Sequence, residues 1–303
     1  MTARAPTGLA HPVRVVFNPQ AGTRPRLPAE SIDETGLREL LARHGVQADV
    51  FAAETEADAR AAVRDGLARG CRTFVAAGGD GTFDLVAREL LQTDAALGIL
   101  PLGRAMNVAR SLSIPRELEQ AAAILAAGHQ RTIDAGVAAG RTFHEIASIG
   151  LSAEILGLAH AFDKGHQGSL IELIRVLVRF RRMRVRMRLD ERVVETRGLM
   201  VVVANGPYTG LGLTLAPDAR LDDGLLDVRV FRRFSRLDLL RHFWAIAFGR
   251  RAYATEVAEF RAKRVVVETP GLPCRADAFD LGRTPIEIGI RPRAIRVIAP
   301  AAR

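Results

Sequence analysis

A chain of 303 residues, 48% hydrophobic and 25% charged, is long enough for two domains that each bury a core, and its composition excludes a disordered or fibrous protein. The formal net charge of +9, carried almost wholly by arginine, favours acidic partners such as nucleotide phosphates or anionic lipid surfaces; aromatics at 5% leave no stacking platform for nucleic acid. Two cysteines, Cys71 and Cys274, exclude a disulfide framework and a cysteine metal cluster, and no run approaches the roughly 20 apolar residues of a membrane span. Met1 to Pro12 lacks the apolar core of a signal peptide, so a reducing cytosol is the expected compartment, with any membrane contact peripheral.

Val13 to Phe17 is a short β-branched strand that ends at Asn18-Pro19. Ser31 to His44 carries Ile32, Leu37, Leu40 and Leu41 at helical spacing and stops at Gly45. Ala48 to Ala52 reads as a second strand, and Ala57 to Arg69 as a helix closed by Gly70. Thr73 to Ala77 is a third strand, which empties into Gly78-Gly79-Asp80-Gly81-Thr82 before a helix predicted over Phe83 to Leu91. Leu97 to Leu100 is a buried strand, Asn107 to Leu112 begins a helix, and Glu117 to Ala127 is a helix ended by Gly128. Repeated β-α units predict a parallel sheet with helices on both faces and ligands beyond the carboxyl ends of its strands. The loops after Phe17, Ala77 and Leu100 all leave such ends.

After residue 132 the pattern changes. Thr132 to Val137, Thr142 to Ser148, Arg182 to Leu189, Val193 to Ala204, Leu226 to Phe231, Arg264 to Glu268 and Ala294 to Ile298 read as strands, several joined by turns such as Ala139-Gly140 and Asp190-Glu191. Arginines alternate with apolar residues through Arg182 to Leu189, a period of two with one wet face. Two helical inserts, Leu170 to Phe180 and Leu237 to Phe248, interrupt. The fold expected is an N-terminal parallel-sheet α/β nucleotide-binding domain over 1–132 and a C-terminal antiparallel β-sandwich over 133–303.

The run from Gly78 to Thr82 carries the most chemistry. Glycines let backbone N–H groups approach an anion with no Cβ in the way, and a following helix N-terminus adds unpaired donors and positive dipole. A phosphate chain fits that arrangement, and Asp80 can face Mg²⁺ or a hydroxyl.

Together these motifs resemble the diacylglycerol kinase catalytic-domain superfamily, in its bacterial lipid kinase branch, with sphingosine and ceramide kinases as relatives. Asn18-Pro19-Gln20-Ala21-Gly22 resembles its first nucleotide loop, Gly78 to Thr82 its phosphate loop, and Leu97 to Gly103 with Asn107 to Arg110 its third loop. Asn205-Gly206, Gly210, Ala216-Pro217 and Leu221 to Val228 resemble the strand end and aspartate-rich loop of its second domain. The resemblance implies an ATP- and Mg²⁺-dependent kinase that phosphorylates a hydroxyl of a diacylglycerol-like or sphingoid lipid in phospholipid metabolism, at the inner face of the membrane. It implies a cradle of Gly78, Gly79, Gly81 and Thr82, with Gly22, Gly103 and Arg104 at the nucleotide. Asn18 and Asn107 either bond nucleotide or pin their loops. Asp80 and Asp277 are the implied catalytic carboxylates, Asp277 matching the aspartate of an Asp-Gly-Glu motif proposed as general base. Asp223 with the backbone of Arg220 and Leu225 is the implied metal set; a tight Asp-Gly hairpin is the other reading of that loop.

Departures from the family pattern are concrete. Arg104 stands where threonine is usual, Met106 where asparagine is, Asp84-Leu85 where asparagine and glutamate are, and Ala21 where serine is common. Asp-Gly-Glu has become Asp277-Ala278-Phe279, which removes a carboxylate. Rival readings are a decayed nucleotide- or lipid-binding member and a NAD kinase-like enzyme with a soluble acceptor. His144 reads as structural. The insert Gly168 to Phe180 beside Arg181, Arg182 and Arg184 fits either an anionic bilayer surface or a helix packed on the sandwich, and Leu237 to Arg251 with its single tryptophan is a second candidate.

Overall fold

The computed structural model describes residues 8–21, 32–155, 157, 175–176, 182–210, 212–233 and 256–301. They divide into two compact units, one within 1–134 and 293–303, the other within 135–292. The inserts expected at Gly168–Phe180 and Leu237–Arg251 lie outside the described residues, apart from helical residues 175 and 176. Among the described residues no helix is long and apolar enough to cross a membrane.

The first unit runs β1 (Val13–Phe17), α1 (Glu34–Arg43), β2 (Ala48–Ala52), α2 (Glu56–Ala68), β3 (Thr73–Gly78), α3 (Asp80–Glu89), β4 (Ala96–Pro101), α4 (Asn107–Ser111) and α5 (Leu118–Ala127). Its strands pair in parallel in the order β2-β1-β3-β4. Every residue of β1, β3 and β4 is buried, which is why these strands read as unbroken apolar runs. Capping explains the helix starts. The Asp33 side chain accepts from the Gly36 N–H, and Thr55 and Asp58 form a reciprocal capping box ahead of α2.

One boundary departs from expectation and bears on function. α3 begins at Asp80 and not at Phe83, because Thr82 and Phe83 both donate their N–H to the Gly79 carbonyl, at 3.0 Å each. Asp80, Gly81 and Thr82 are therefore the first turn of a helix. The glycine content of that turn reads as loop in sequence.

Between the units the chain runs through β5 (Gln130–Ala138) and returns through the last strand, β18 (Ile286–Ile298). The second unit adds β6 (Arg141–Phe143), β7 (Ile146–Gly150), β8 (Met183–Leu189), β9 (Arg192–Gly198), β10 (Met200–Ala204), β11 (Tyr208–Thr209), β12 (Leu213–Thr214) and β13 (Leu226–Arg233). After these come β14 (Glu256–Ala262), β15 (Arg264–Val267), β16 (Pro273–Ala276) and β17 (Phe279–Arg283). The first half of β18 pairs with β15, then β8 and β9, and a second sheet follows the order β14-β13-β10-β7-β16-β17, all antiparallel. Val185, Met187, Val265 and Ile288 from the first sheet meet Ile149, Val201, Val203 and Val228 from the second in one core, so this unit is a β-sandwich.

Two strands expected to be continuous are broken. Thr142 to Ser148 divides at His144-Glu145 into β6 and β7, because the N–H groups there leave the ladder for the Asp277 carboxylate. Val193 to Ala204 divides at Leu199 into β9 and β10, which belong to different sheets. A Cβ at Gly198 would stand 2.8 Å from a Val230 methyl, and the glycine lets the chain cross over there. The Ala139-Gly140 turn places both residues at positive φ, as a two-residue hairpin of the right twist requires. Both cysteines are buried and free, and burial pushes the Cys274 thiol up to about 11, which keeps that thiol protonated.

Candidate active site

In the first unit β3 delivers Gly78 and Gly79 to the N-terminus of α3. Three glycines here answer to different constraints. A Cβ on Gly78 would lie 2.3 Å from the Thr82 Oγ1, because the threonine side chain folds over the strand end. A Cβ on Gly103 would lie 2.5 Å from the Gly79 Cα, so the loops after β3 and β4 press backbone to backbone. Gly81 meets nothing within 4 Å and has no positive φ. Neither packing nor backbone conformation demands a glycine there, and open space lies beside the first-turn N–H groups of a helix. A phosphate chain fits that space.

Asp80 turns away from it. Its carboxylate accepts the Met106 N–H at 2.8 Å and the Val108 N–H at 3.5 Å, across the start of α4. Met106, the residue before α4, has φ +52 and no side-chain cap of its own. Asp80 therefore caps α4 from the first turn of α3. Burial pushes its carboxyl above the ordinary carboxylate range, against the backbone N–H groups of Val108, Met106 and Asn107, which hold it down. Met106 is buried in a left-handed conformation that asparagine tolerates and methionine rarely adopts, so this departure from the family pattern carries strain.

Arg116 steadies the same loop: its guanidinium donates to the carbonyls of Gly103 and Arg104. Sequence reading missed Arg116, since a single arginine after Ile114-Pro115 has no pattern to mark it. Arg104 itself is half-buried, and Asn107 is buried at the first position of α4. Asp84, on α3, pairs with Arg88 at 2.9 Å. Asn18 pins its turn: its N–H donates to the Ala77 carbonyl at 2.9 Å, and its Oδ1 accepts from the Gln20 N–H at 3.0 Å. Gly22 lies outside the described residues.

In the second unit Asp277 occupies the hairpin between β16 and β17 at φ +44. Its carboxylate accepts the N–H groups of His144, Glu145 and Ile146 at 2.8, 3.1 and 3.1 Å. From the other side, Asn205 and Gly206 donate their N–H groups to the Glu145 carbonyl, and the Asn205 side chain donates to the His144 carbonyl at 3.2 Å. The Asn-Gly strand end and the aspartate hairpin thus grip one short segment, 144–146. His144 is fully buried within it. Phe279, where the family pattern has glutamate, lies under the Arg141 guanidinium at 5.3 Å, a cation–π contact in place of a carboxylate.

In the aspartate-rich loop the Asp223 Oδ1 accepts the Leu225 N–H at 3.1 Å, Gly224 takes φ +71, and Arg220 pairs with Asp222 at 3.2 Å. The turn is closed by its own Asp and Gly. Asp223 Oδ2 has no bond among the described residues, and a carboxylate oxygen is a donor of the kind a hard cation accepts.

A parallel α/β unit with a glycine cradle at its strand ends, joined to an antiparallel sandwich, is the architecture of a nucleotide-dependent phosphotransferase. Residues 12–138 match the diacylglycerol kinase catalytic domain, and residues 147–299 the YegS C-terminal NAD kinase beta sandwich-like domain. A diacylglycerol kinase of Mycobacterium tuberculosis is 32% identical over 253 residues, covering 80% of this chain and 82% of that one. A probable YegS-like lipid kinase of Pseudomonas aeruginosa is 32% identical over 252 residues, 81% and 82% of the two chains. A solved diacylglycerol kinase structure from Bacillus anthracis shares the fold, with a TM-score of 0.72 at 20% identity over 95% of this chain and 96% of that one. The chain belongs to the diacylglycerol kinase and YegS lipid kinase family, a family of ATP-using kinases.

Proposed function

We propose that this lipid kinase transfers the γ-phosphate of Mg·ATP to a hydroxyl of a diacylglycerol-like or sphingoid lipid drawn from a bilayer surface. The observation that carries the reading is Gly81, a glycine in the first turn of a helix that neither packing nor a positive φ requires. The N–H groups of Gly79 and Gly81 would hold phosphate oxygens, with Gly78 and Thr82 shaping the strand end and Gly103, Arg104 and Asn107 closing the nucleotide side. Asn18 would contribute through its turn.

Phosphoryl transfer through a loose transition state asks a protein for position and charge more than for covalent help. That requirement fits carboxylates that hold loops. Asp80 ties the third loop to the cradle, and Asp277 fixes the 144–146 segment. Asp277 already accepts three N–H groups, and it would serve the acceptor hydroxyl as a hydrogen-bond acceptor. Asp223 with the carbonyls of Arg220 and Leu225 would hold a divalent cation that stiffens the loop. Mg²⁺ on the nucleotide neutralises phosphate charge.

Transfer of labelled γ-phosphate to diglyceride, phosphatidylglycerol and sphingoid lipids in anionic mixed micelles tests the reading. A labelled lipid that vanishes when Mg²⁺ is withheld is the expected result. Labelling of a soluble alcohol with no lipid product would sink it, and so would tight nucleotide binding without turnover on any acceptor.

A further inference from the structure

The loop after β4, Leu102 to Met106, lies against the phosphate cradle and is gripped by groups of both charges. The Leu102 N–H donates to the Gly78 carbonyl at 3.0 Å, and Gly103 packs so closely that a Cβ there would stand 2.5 Å from the Gly79 Cα. At the far end of the loop the Asp80 carboxylate takes the N–H groups of Met106 and Val108. Two carbonyls of the loop go instead to a cation. Arg116 donates from Nη2 to the Gly103 carbonyl at 3.1 Å and from Nη1 to the Arg104 carbonyl.

Arg116 reaches back to the loop because the chain between them is short and fixed. After α4 the Ile114 N–H closes onto the Ala109 carbonyl at 2.9 Å, and Ile114 is buried. α5 then starts at Leu118 and packs on β4, where a Cβ on Gly98 would lie 2.5 Å from the Leu125 Cδ1. Arg116 itself is exposed, and among the described residues no carboxylate pairs with it. Stability does not call for this arrangement. Its contact with Arg104 is at the surface, where water would serve the carbonyl nearly as well.

What the guanidinium does fix is the direction of two peptide groups. Both are trans, so the C=O and N–H of each point opposite ways. With the carbonyls of Gly103 and Arg104 turned to one guanidinium, the N–H groups of Arg104 and Ala105 turn the other way. The Ala105 N–H has no hydrogen bond among the described residues, and it lies two residues from the contact of Gly103 with Gly79. No side chain from Leu102 to Met106 carries a hydroxyl or an amide, so donors here are the backbone or Arg104. A cation at the carbonyl end of a peptide polarises it and strengthens its N–H as a donor. We propose that Arg116 is a positioning residue for the nucleotide: it sets these two peptides so that the Ala105 N–H meets a phosphate oxygen, and passes its charge to that donor through the peptide dipole. This role rests on the nucleotide site proposed above.

Titration calorimetry with Mg·ATP and with adenosine, beside thermal denaturation, compares the unaltered full chain with Arg116→Gln and Arg116→Lys. Arg116→Gln should melt close to the unaltered chain and bind Mg·ATP about tenfold more weakly, while its affinity for adenosine changes by less than about twofold. Arg116→Lys keeps the charge but cannot present two fixed donors to two carbonyls, so it should recover only part of the loss. Equal Mg·ATP binding by Arg116→Gln and the unaltered chain overturns the proposal and leaves the nucleotide site standing. A parallel loss of both ligands with a large fall in melting temperature also overturns it, since Arg116 would then be a structural tie alone. Full recovery by lysine would mean that charge suffices and overturn the hold on the peptides. If the unaltered chain binds no Mg·ATP, the nucleotide reading falls and takes the role of Arg116 with it.

Discussion

At the scale of single residues, the glycines around the cradle separate packing from ligand binding. An alanine at Gly103 would drive its methyl into the Gly79 backbone, which cannot yield as a side chain can. At Gly81 the same methyl enters open space on a helix, where alanine is favoured over glycine by about 1 kcal/mol. Gly81→Ala should therefore melt at the same temperature or higher while nucleotide affinity falls at least about tenfold. Thermal denaturation with ATP titration reads both, and an alanine variant that binds ATP normally would remove Gly81 from the site. Asp227 makes a second residue-scale case. Burial pushes its carboxyl up, outweighing the opposing Arg261, and its Oδ2 is buried without a partner among the described residues. A carboxyl raised in the folded state gives stability that is full below its unfolded value, about 3.9, and is lost as pH rises through the folded one. Asp227→Asn should raise the melting temperature at pH 7, with the gain shrinking as pH falls through the raised folded value and gone by about pH 4.

At the scale of elements, strand positions were legible where both faces are buried, as in β1, β3 and β4, and the Ala139-Gly140 hairpin was legible from its turn chemistry. What escaped was set by partners far away in sequence. The break between β6 and β7 depends on Asp277, 131 to 133 residues on, and the cap on α4 comes from Asp80, 26 residues back. β16 and β17 are short, and Pro273, Arg275, Asp280 and Arg283 hide their alternation. Because Asp277 holds three N–H groups, Asp277→Ala should cost at least about 4.5 kcal/mol, at roughly 1.5 or more per hydrogen bond to a charged group, and lower activity together with stability. Denaturant midpoints beside transfer rates test this; a stable variant with lost activity would return Asp277 to the chemistry alone. The edge pair β8 and β9 supports another prediction. Arg186 and Arg188 are neutralised by Glu195 and Glu268, but Arg184 stands directly opposite Arg197, and neither has a carboxylate partner among the described residues. Like charges across a strand pair repel. Arg197→Glu should stabilise the hairpin by a few tenths of a kcal/mol and weaken sedimentation with anionic vesicles at least about fivefold. Unchanged vesicle binding would take this face out of membrane contact.

At the scale of the whole molecule, the first unit is completed by a chain segment that the second unit separates from the rest of it in sequence. The run Ala294 to Ile298 is readable as a strand, but its partner is not, because a parallel neighbour leaves no turn to announce it. In the structure Arg296 and Val297 pair with Ala96 and Leu97, so the end of β18 extends the parallel sheet of the first unit beyond β4. Ile295, Val297 and Ile298 are buried there, the Ala299 N–H donates to the His129 carbonyl, and Arg296 pairs with Asp94 at 2.8 Å. Three large aliphatic side chains at about 1.5–3 kcal/mol each come to roughly 5–9 kcal/mol, comparable with the whole stability of an ordinary domain. Their loss would also expose the β4 edge beside the third loop that Asp80 and Arg116 hold in place. A chain ending at Pro292 should therefore lose cooperative unfolding of the first unit and all measurable ATP binding, although the cut lies about 190 residues from Gly103 in sequence. Calorimetry of the truncated chain with and without Mg·ATP checks this. A nucleotide-dependent rise in melting temperature that survives the cut would show that the four strands β2-β1-β3-β4 suffice to hold the cradle.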